Sequence, residues 1–145
     1  MEDKFNLTRF VSAQNAVYQT VIDELKAGRK RTHWMWYIFP QLKHLGRSAN
    51  AKFYGLSDAD EAKAYLNHPI LGQRLREVSE TILSLPTDNA VEVFGGIDSR
   101  KLKSSMTLFD SVSPNDIFSK ILEKYFQSRR DPLTQQLLAQ TNDPN

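Results

Sequence analysis

The chain has 145 residues, 40% hydrophobic and 25% charged, which is typical of a single globular domain and not of a disordered protein. It contains no cysteine, which excludes disulfides and thiolate chemistry and fits a reducing compartment. It also has no run of about 18 apolar residues, and its charged N-terminus lacks the apolar part of a signal peptide. We therefore expect a cytoplasmic protein without a membrane span.

Charge is distributed unevenly, although the net charge is only +2. Residues 26–57, called here the basic segment, hold seven Lys and Arg and no acid, whereas the remainder holds 12 basic and 17 acidic residues. The basic segment also contains six of the 15 aromatic residues, including both tryptophans. A region of one sign attracts anions, so the pattern favours an anion site. The alternative is a set of solvated helix ends and loops.

Apolar residues recur at helical spacing in the first half of the chain. A stripe from Phe10 to Leu25 predicts a first helix, which Gly28 ends. Ser48 is predicted to cap a short helix in "ANAKFYGL". Ser57, followed by an acid three residues later, is predicted to cap the helix after it.

The second half shows the same periodicity. An apolar stripe over residues 71–85 predicts a long helix, and Gly95–Gly96 predicts a turn. Asp98 is predicted to cap the next helix, Ser113 the one after it, and Asp131–Pro132 to begin the last. Only "VEVF" could form a strand, and four residues cannot build a sheet. We predict an all-α single domain over residues 1–145, with seven to nine short helices and a frayed tail from about residue 141.

Two motifs are specific enough to indicate a family. They are His-Trp-Met-Trp-x-x-Phe-Pro-Gln at His33 to Gln41 and Lys-x-x-Ser-Ser-Met-Thr-Leu-Phe at Lys101 to Phe109. Through them the chain resembles the bacterial domain-of-unknown-function family 1810, whose members are sometimes labelled calpastatin-like. The similarity runs from about Phe5 to Leu138. It implies a compact all-α fold, in agreement with the helix patterns, and no established activity.

The first candidate site residues are His33, Trp34 and Trp36. Imidazole titrates near neutrality, so His33 is a candidate catalytic acid or base, and either indole could stack on a planar ligand. Arg31, next to them, could hold a phosphate or carboxylate through two hydrogen bonds. The alternative is that the tryptophans are core residues and that His33 caps a chain end.

A second group of candidates, Lys101, Ser104 and Ser105, lies on one predicted helix. Their spacing places an ammonium and two hydroxyls together at the edge of the core, near a helix start that favours anions. Arg47 and Ser48 begin another helix within the basic segment and add more donors. Alternatively, the serines are small packing residues where two helices cross.

Other chemistries lack their signatures. His33, His44 and His68 form no His-x-x-x-His pair, so we expect no metal site and no cofactor. Gly95–Gly96 lacks the Gly-Lys-Ser/Thr ending of a phosphate loop. No Gly-x-Ser-x-Gly elbow is present, which disfavours a serine nucleophile.

Three functions remain open at this point. The first is a pocket for a small anionic, partly planar molecule such as a nucleotide-derived metabolite, with or without turnover. The second is binding of single-stranded nucleic acid, which suits basic residues interleaved with aromatics, although the overall basic excess is small. The third is a non-enzymatic protein-interaction module with tryptophan anchors. The first requires the tryptophan-bearing and twin-serine segments to meet around a hollow. The sequence does not fix an oligomeric state.

Overall fold

The computed structural model describes residues 3–141, which form eight α-helices, one 3₁₀ turn and no β-strand. The helices are α1 (Thr8–Lys26), α2 (Met35–Ile38), α3 (Ala49–Tyr54), α4 (Ala59–Asn67), α5 (Leu71–Leu83), α6 (Ala90–Val112), α7 (Ile117–Phe126) and α8 (Pro132–Thr141), and the 3₁₀ turn is Lys43–Leu45. The all-α prediction is confirmed. The part of the predicted frayed tail beyond residue 141 lies outside the described residues. Within them, no helix is long and apolar enough to cross a bilayer.

Helix α6 lies at the centre of the core and contacts α4, α7 and α8. Its residues 104–110 are all buried, as expected for a helix that is covered on every side. Helix α5 packs against α1, α4 and α7 through the predicted apolar stripe. Its buried hydrophobic residues are Leu71, Leu75, Val78 and Ile82.

The N-caps of α4 and α7 lie one and three residues after the predicted serines, Ser57 and Ser113. Helix α4 is capped by Asp58, whose carboxylate accepts from the backbone N–H of Glu61 at 2.9 Å, and Ser57 instead donates to the Glu61 side chain. Helix α7 is capped by Asp116, and Ser113 donates its hydroxyl to the Asp116 carboxylate at 2.7 Å. In both cases a nearby carboxylate displaces the serine as the acceptor for backbone N–H groups.

The predicted turn at Gly95–Gly96 is a kink inside α6. Gly95 has φ +83° and ψ 169°, a backbone conformation that residues with a Cβ rarely adopt. The only candidate strand, "VEVF", is therefore the start of α6, which Asn89 caps. Asp98 was predicted to cap a helix, but it lies within α6. Its carboxylate lies 2.8 Å from the Lys30 ammonium and 3.7 Å from that of Lys101.

The loop between α1 and α2 is held by one carboxylate, that of Glu24. It accepts hydrogen bonds from the backbone N–H groups of Arg31 and Thr32, from the Thr32 hydroxyl and from the indole N–H of Trp34, at 2.6–3.1 Å. Burial disfavours the charged form of Glu24, but these four donors outweigh it and lower its pKa to about 2. The loop that leads to α2 is therefore fixed by charge-assisted hydrogen bonds.

We expect Gly72→Ala to destabilise the fold. A Cβ at this position in the first turn of α5 would lie 2.0 Å from the backbone oxygen of Leu66 in α4, and backbone cannot move aside as a side chain can. The loss should be about 3 kcal/mol, at the upper end of overpacking effects. Gly96→Ala is the matched control, since a Cβ there meets nothing within 4 Å. Urea denaturation measures both variants, and equal stabilities would contradict the close approach of α4 and α5.

Glu24 should also make stability depend on pH. Because its pKa in the folded protein is about 2, below the ordinary 4.5, its contribution is complete above about pH 4.5 and is lost as pH falls toward 2. The contribution amounts to about 3 kcal/mol at most. Glu24→Gln keeps an oxygen acceptor but has no charge to lose. The free energy of unfolding of the unsubstituted protein should therefore fall further over this pH range than that of Glu24→Gln. Glu123→Gln, on an exposed face, should behave like the unsubstituted protein.

Candidate functional site

The two tryptophans have different environments, although only one residue separates them. Trp34 is 1% exposed, donates its indole N–H to Glu24 at 3.0 Å and meets the Phe94 ring edge-on. Trp36 is only partly buried and lines surface clefts. Trp34, predicted to bind a ligand, is therefore a core residue, because its polar atom is used inside the protein and its ring is covered. Only Trp36 is available for stacking.

Trp36 and Lys101 join the two segments that the sequence singled out. The Lys101 ammonium lies 4.7 Å from the centre of the Trp36 ring, a cation–π distance. Lys101 also approaches Asp98 of its own helix, which Lys30 of the tryptophan-bearing loop holds at 2.8 Å. The Lys30 side chain is only 6% exposed, so this second link is largely shielded from water. The two segments therefore lie side by side.

A cleft of about 590 Å³ lies on one side of this contact, and we call it the basic cleft. Its walls come from the end of the 3₁₀ turn and the start of α3, from the middle of α6, and from the start of α8. Its charged lining residues are Arg47, Arg100, Lys101 and Asp131. Trp36, Ile97 and Leu133 provide apolar surface at the same cleft. Three cations face one carboxylate, which makes the potential in the cleft positive.

Both guanidinium groups of the basic cleft are unpaired. Within residues 3–141, neither the Arg47 nor the Arg100 side chain forms an ion pair or a hydrogen bond. Arg9 and Arg130, by contrast, are engaged with Glu61 and Asp110 at 2.9 Å and 3.0 Å. The arginines of the basic cleft therefore keep all their donors for a ligand.

Five of the nine predicted site residues line the basic cleft. They are Trp36, Arg47, Ser48, Lys101 and Ser104.

The two serines of the basic cleft differ in what they can offer a ligand. The Ser48 hydroxyl oxygen accepts from the backbone N–H of Ala51 at 3.1 Å, so its own O–H is free to donate. Ser104 donates its O–H to the carbonyl of Arg100 at 3.2 Å, which leaves only acceptor capacity. An anion would therefore be bound by Ser48 and not by Ser104.

The other predicted residues lie elsewhere. Ser105 is fully buried and its hydroxyl has no partner among the described residues, so it is not part of the basic cleft. The Arg31 side chain is exposed and lines neither cleft beside Trp36, and the residue's backbone N–H donates to Glu24. Both are removed from the candidate set.

His33 lines a second cleft, of about 400 Å³, on the other side of Trp36 and Lys101. It is exposed, and no hydrogen bond in the described part of the chain fixes its ring. A catalytic imidazole needs such a partner to set which nitrogen carries the proton. Within residues 3–141, no group of three or more His, Asp and Glu side chains has the arrangement of a metal site.

Sequence reasoning missed Arg100 and Asp131. A signal for Arg100 existed, because it lies four residues before Ser104 and therefore on the same face of the helix. No local signal existed for Asp131. A hydrogen bond of 2.9 Å from its backbone N–H to the Thr107 hydroxyl, 24 residues away, holds it at the basic cleft. Its sequence context indicates only a helix start.

The comparisons with known proteins agree with this fold. The model of the family described as "Protein of unknown function (DUF1810)" matches residues 4–138. The crystal structure at 1.38 Å of the conserved hypothetical protein Rv1873 from Mycobacterium tuberculosis is similar over 94% of this chain and 99% of that one, with 48% sequence identity and a TM-score of 0.92. No curated protein matches. Since the family model covers nearly the whole chain, the protein belongs to the DUF1810 family.

Proposed function

We propose that the basic cleft binds a small anionic molecule that carries a planar group, such as a nucleotide or a nucleotide-derived metabolite. The observation that carries the proposal is the pair of unpaired guanidinium groups, Arg47 and Arg100, at the same cleft as the accessible ring of Trp36. Unpaired arginines beside an aromatic ring are the combination that recognises an anion attached to a flat group.

Lys101 supplies a cation that can turn toward a ligand. Its ammonium is 3.7 Å from Asp98, which is too long for a hydrogen bond, whereas Lys30 approaches the same carboxylate to 2.8 Å. Asp98 is thus already neutralised without Lys101. An anion in the basic cleft could attract the Lys101 ammonium without leaving Asp98 as an unpaired charge.

The size of the basic cleft fits a ligand of this class. Pockets for small molecules usually enclose about 300–1,000 Å³, and the basic cleft has about 590 Å³. Stacking of a base on an aromatic side chain is worth about 1–3 kcal/mol, which makes Trp36 a substantial part of the expected affinity. His33 would act only on a ligand that extends past Trp36 and Lys101 into the second cleft.

A protein-interaction surface is the second candidate. Ile97 and Leu133 are 73% and 49% exposed, and both lie at the rim of the basic cleft. Exposed apolar residues beside a positive cleft suit an acidic protein partner. This candidate gives no reason for a free mononucleotide to bind, so binding of adenosine monophosphate separates the two.

Arg47→Ala and Arg100→Ala should each weaken binding of adenosine monophosphate by about tenfold or more, since each removes charged hydrogen bonds to the phosphate. Isothermal titration calorimetry measures the affinity. Melting temperatures should stay close to that of the unsubstituted protein, because neither side chain holds a partner in the described structure.

Arg129→Ala is the matched control, because that arginine is exposed and lies outside the basic cleft. Equal affinities for all three variants would refute the assignment of the anion site. A large drop in melting temperature for Arg47→Ala or Arg100→Ala would show that these arginines support the fold instead.

Trp36 should report occupancy of the basic cleft by fluorescence. Because the Trp34 indole is buried and hydrogen-bonded, its emission should be blue-shifted and insensitive to acrylamide, whereas Trp36 should be quenched by acrylamide and by stacked adenosine monophosphate. In Trp36→Phe the fluorescence response should vanish, while calorimetry still detects binding because phenylalanine also stacks. A response that persists in Trp36→Phe would place the nucleotide elsewhere.

A further inference from the structure

Asp131 is a carboxylate in a cleft lined by three cations, and it pairs with none of them. No Lys or Arg of the described residues approaches it within 4.0 Å. The neighbouring Arg130 binds Asp110 instead, at 3.0 Å and 3.1 Å. The basic cleft therefore carries its positive and negative charges on separate walls.

The two oxygens of the Asp131 carboxylate are used unequally. Oδ2 accepts hydrogen bonds from the backbone N–H of Thr134, at 3.0 Å, and from the Thr134 hydroxyl, and so caps α8. Oδ1 accepts no hydrogen bond within the described structure. One oxygen fixes the carboxylate in place, and the other remains an acceptor.

The position of Asp131 is set by buried partners. Its backbone N–H donates to the hydroxyl of Thr107, which is 2% exposed and donates to the carbonyl of Lys103 at 2.7 Å. Thr107 lies seven residues beyond Arg100 on α6, which is about 10 Å along the helix axis. Asp131 is thus held beside α6 at a point about two helical turns beyond Arg100.

We infer that Asp131 determines the specificity of the basic cleft by accepting hydrogen bonds from ribose hydroxyls, so that the ligand is a ribonucleoside monophosphate. The inference rests on the proposed function and extends it from an anion with a planar group to a defined class. A carboxylate repels a bare phosphate or a polyphosphate chain, and it favours a group that carries hydrogen-bond donors. Phosphate, base and sugar are then recognised by the arginines, Trp36 and Asp131 respectively.

The test compares the affinities of adenosine monophosphate, its 2′,3′-dideoxy analogue and inorganic phosphate, measured by calorimetry. The unsubstituted protein should prefer adenosine monophosphate over the dideoxy analogue by about tenfold or more, since the dideoxy analogue gives the charged acceptor of Asp131 no donor in place of the water that the ligand displaces. In Asp131→Asn the amide oxygen can still cap α8, but the other position becomes an NH₂ donor. That variant should lose the preference for the ribose hydroxyls and bind inorganic phosphate more tightly.

Asp58→Asn is the matched control. It makes the same change at an aspartate that caps α4 and does not line the basic cleft, so it should leave the ratio of the two nucleotide affinities unchanged. Equal binding of both nucleotides by the unsubstituted protein, still weakened by Arg47→Ala, would overturn the role of Asp131 and leave the proposed function standing. Failure of both nucleotides to bind would overturn both.

Discussion

The ion pair between Lys30 and Asp98 is the interaction on which the candidate site depends. It joins the loop before α2 to the middle of α6, and the Lys30 side chain is almost fully buried beneath it. The same ammonium donates to the carbonyl of Thr32 at 2.6 Å and lies 4.9 Å from the centre of the Trp34 ring. A buried charge needs several partners to offset its desolvation, and Lys30 has a carboxylate, a carbonyl and an aromatic face. Through these contacts the core tryptophan and the kinked helix become neighbours.

This arrangement explains why the most basic stretch of the chain is not uniformly a ligand surface. Glu24 and Asp98 draw Lys30 and the backbone of the loop inward, so part of the positive charge there is structural. The cations that a ligand would meet are Arg47, from the basic segment, and Arg100 and Lys101, from α6. Counting basic residues along the sequence therefore located the region but not the individual cations that a ligand would meet.

The sequence was sufficient to predict the helical fold and five of the residues that line the basic cleft. Helical periodicity and proline and glycine breaks locate most helices, because burial of an apolar stripe is a local pattern. Which tryptophan is buried could not be inferred, since α2 is a single turn and its orientation is set by Glu24, ten residues before Trp34. Asp131 could not be predicted either, because a tertiary contact between α6 and the start of α8 brings it to the basic cleft.

Gly95 has an electrostatic effect as well as a geometric one. Because this residue leaves the helical conformation, the chain after it begins a new helical segment, whose aligned peptide dipoles place partial positive charge at its start. Asp98 sits in that first turn, where a carboxylate is stabilised by the dipoles in addition to its lysine partners. In an unbroken helix the same aspartate would occupy the interior and gain nothing from them. The backbone conformation of Gly95 thus determines the electrostatic field around Asp98 and the two lysine ammonium groups beside it.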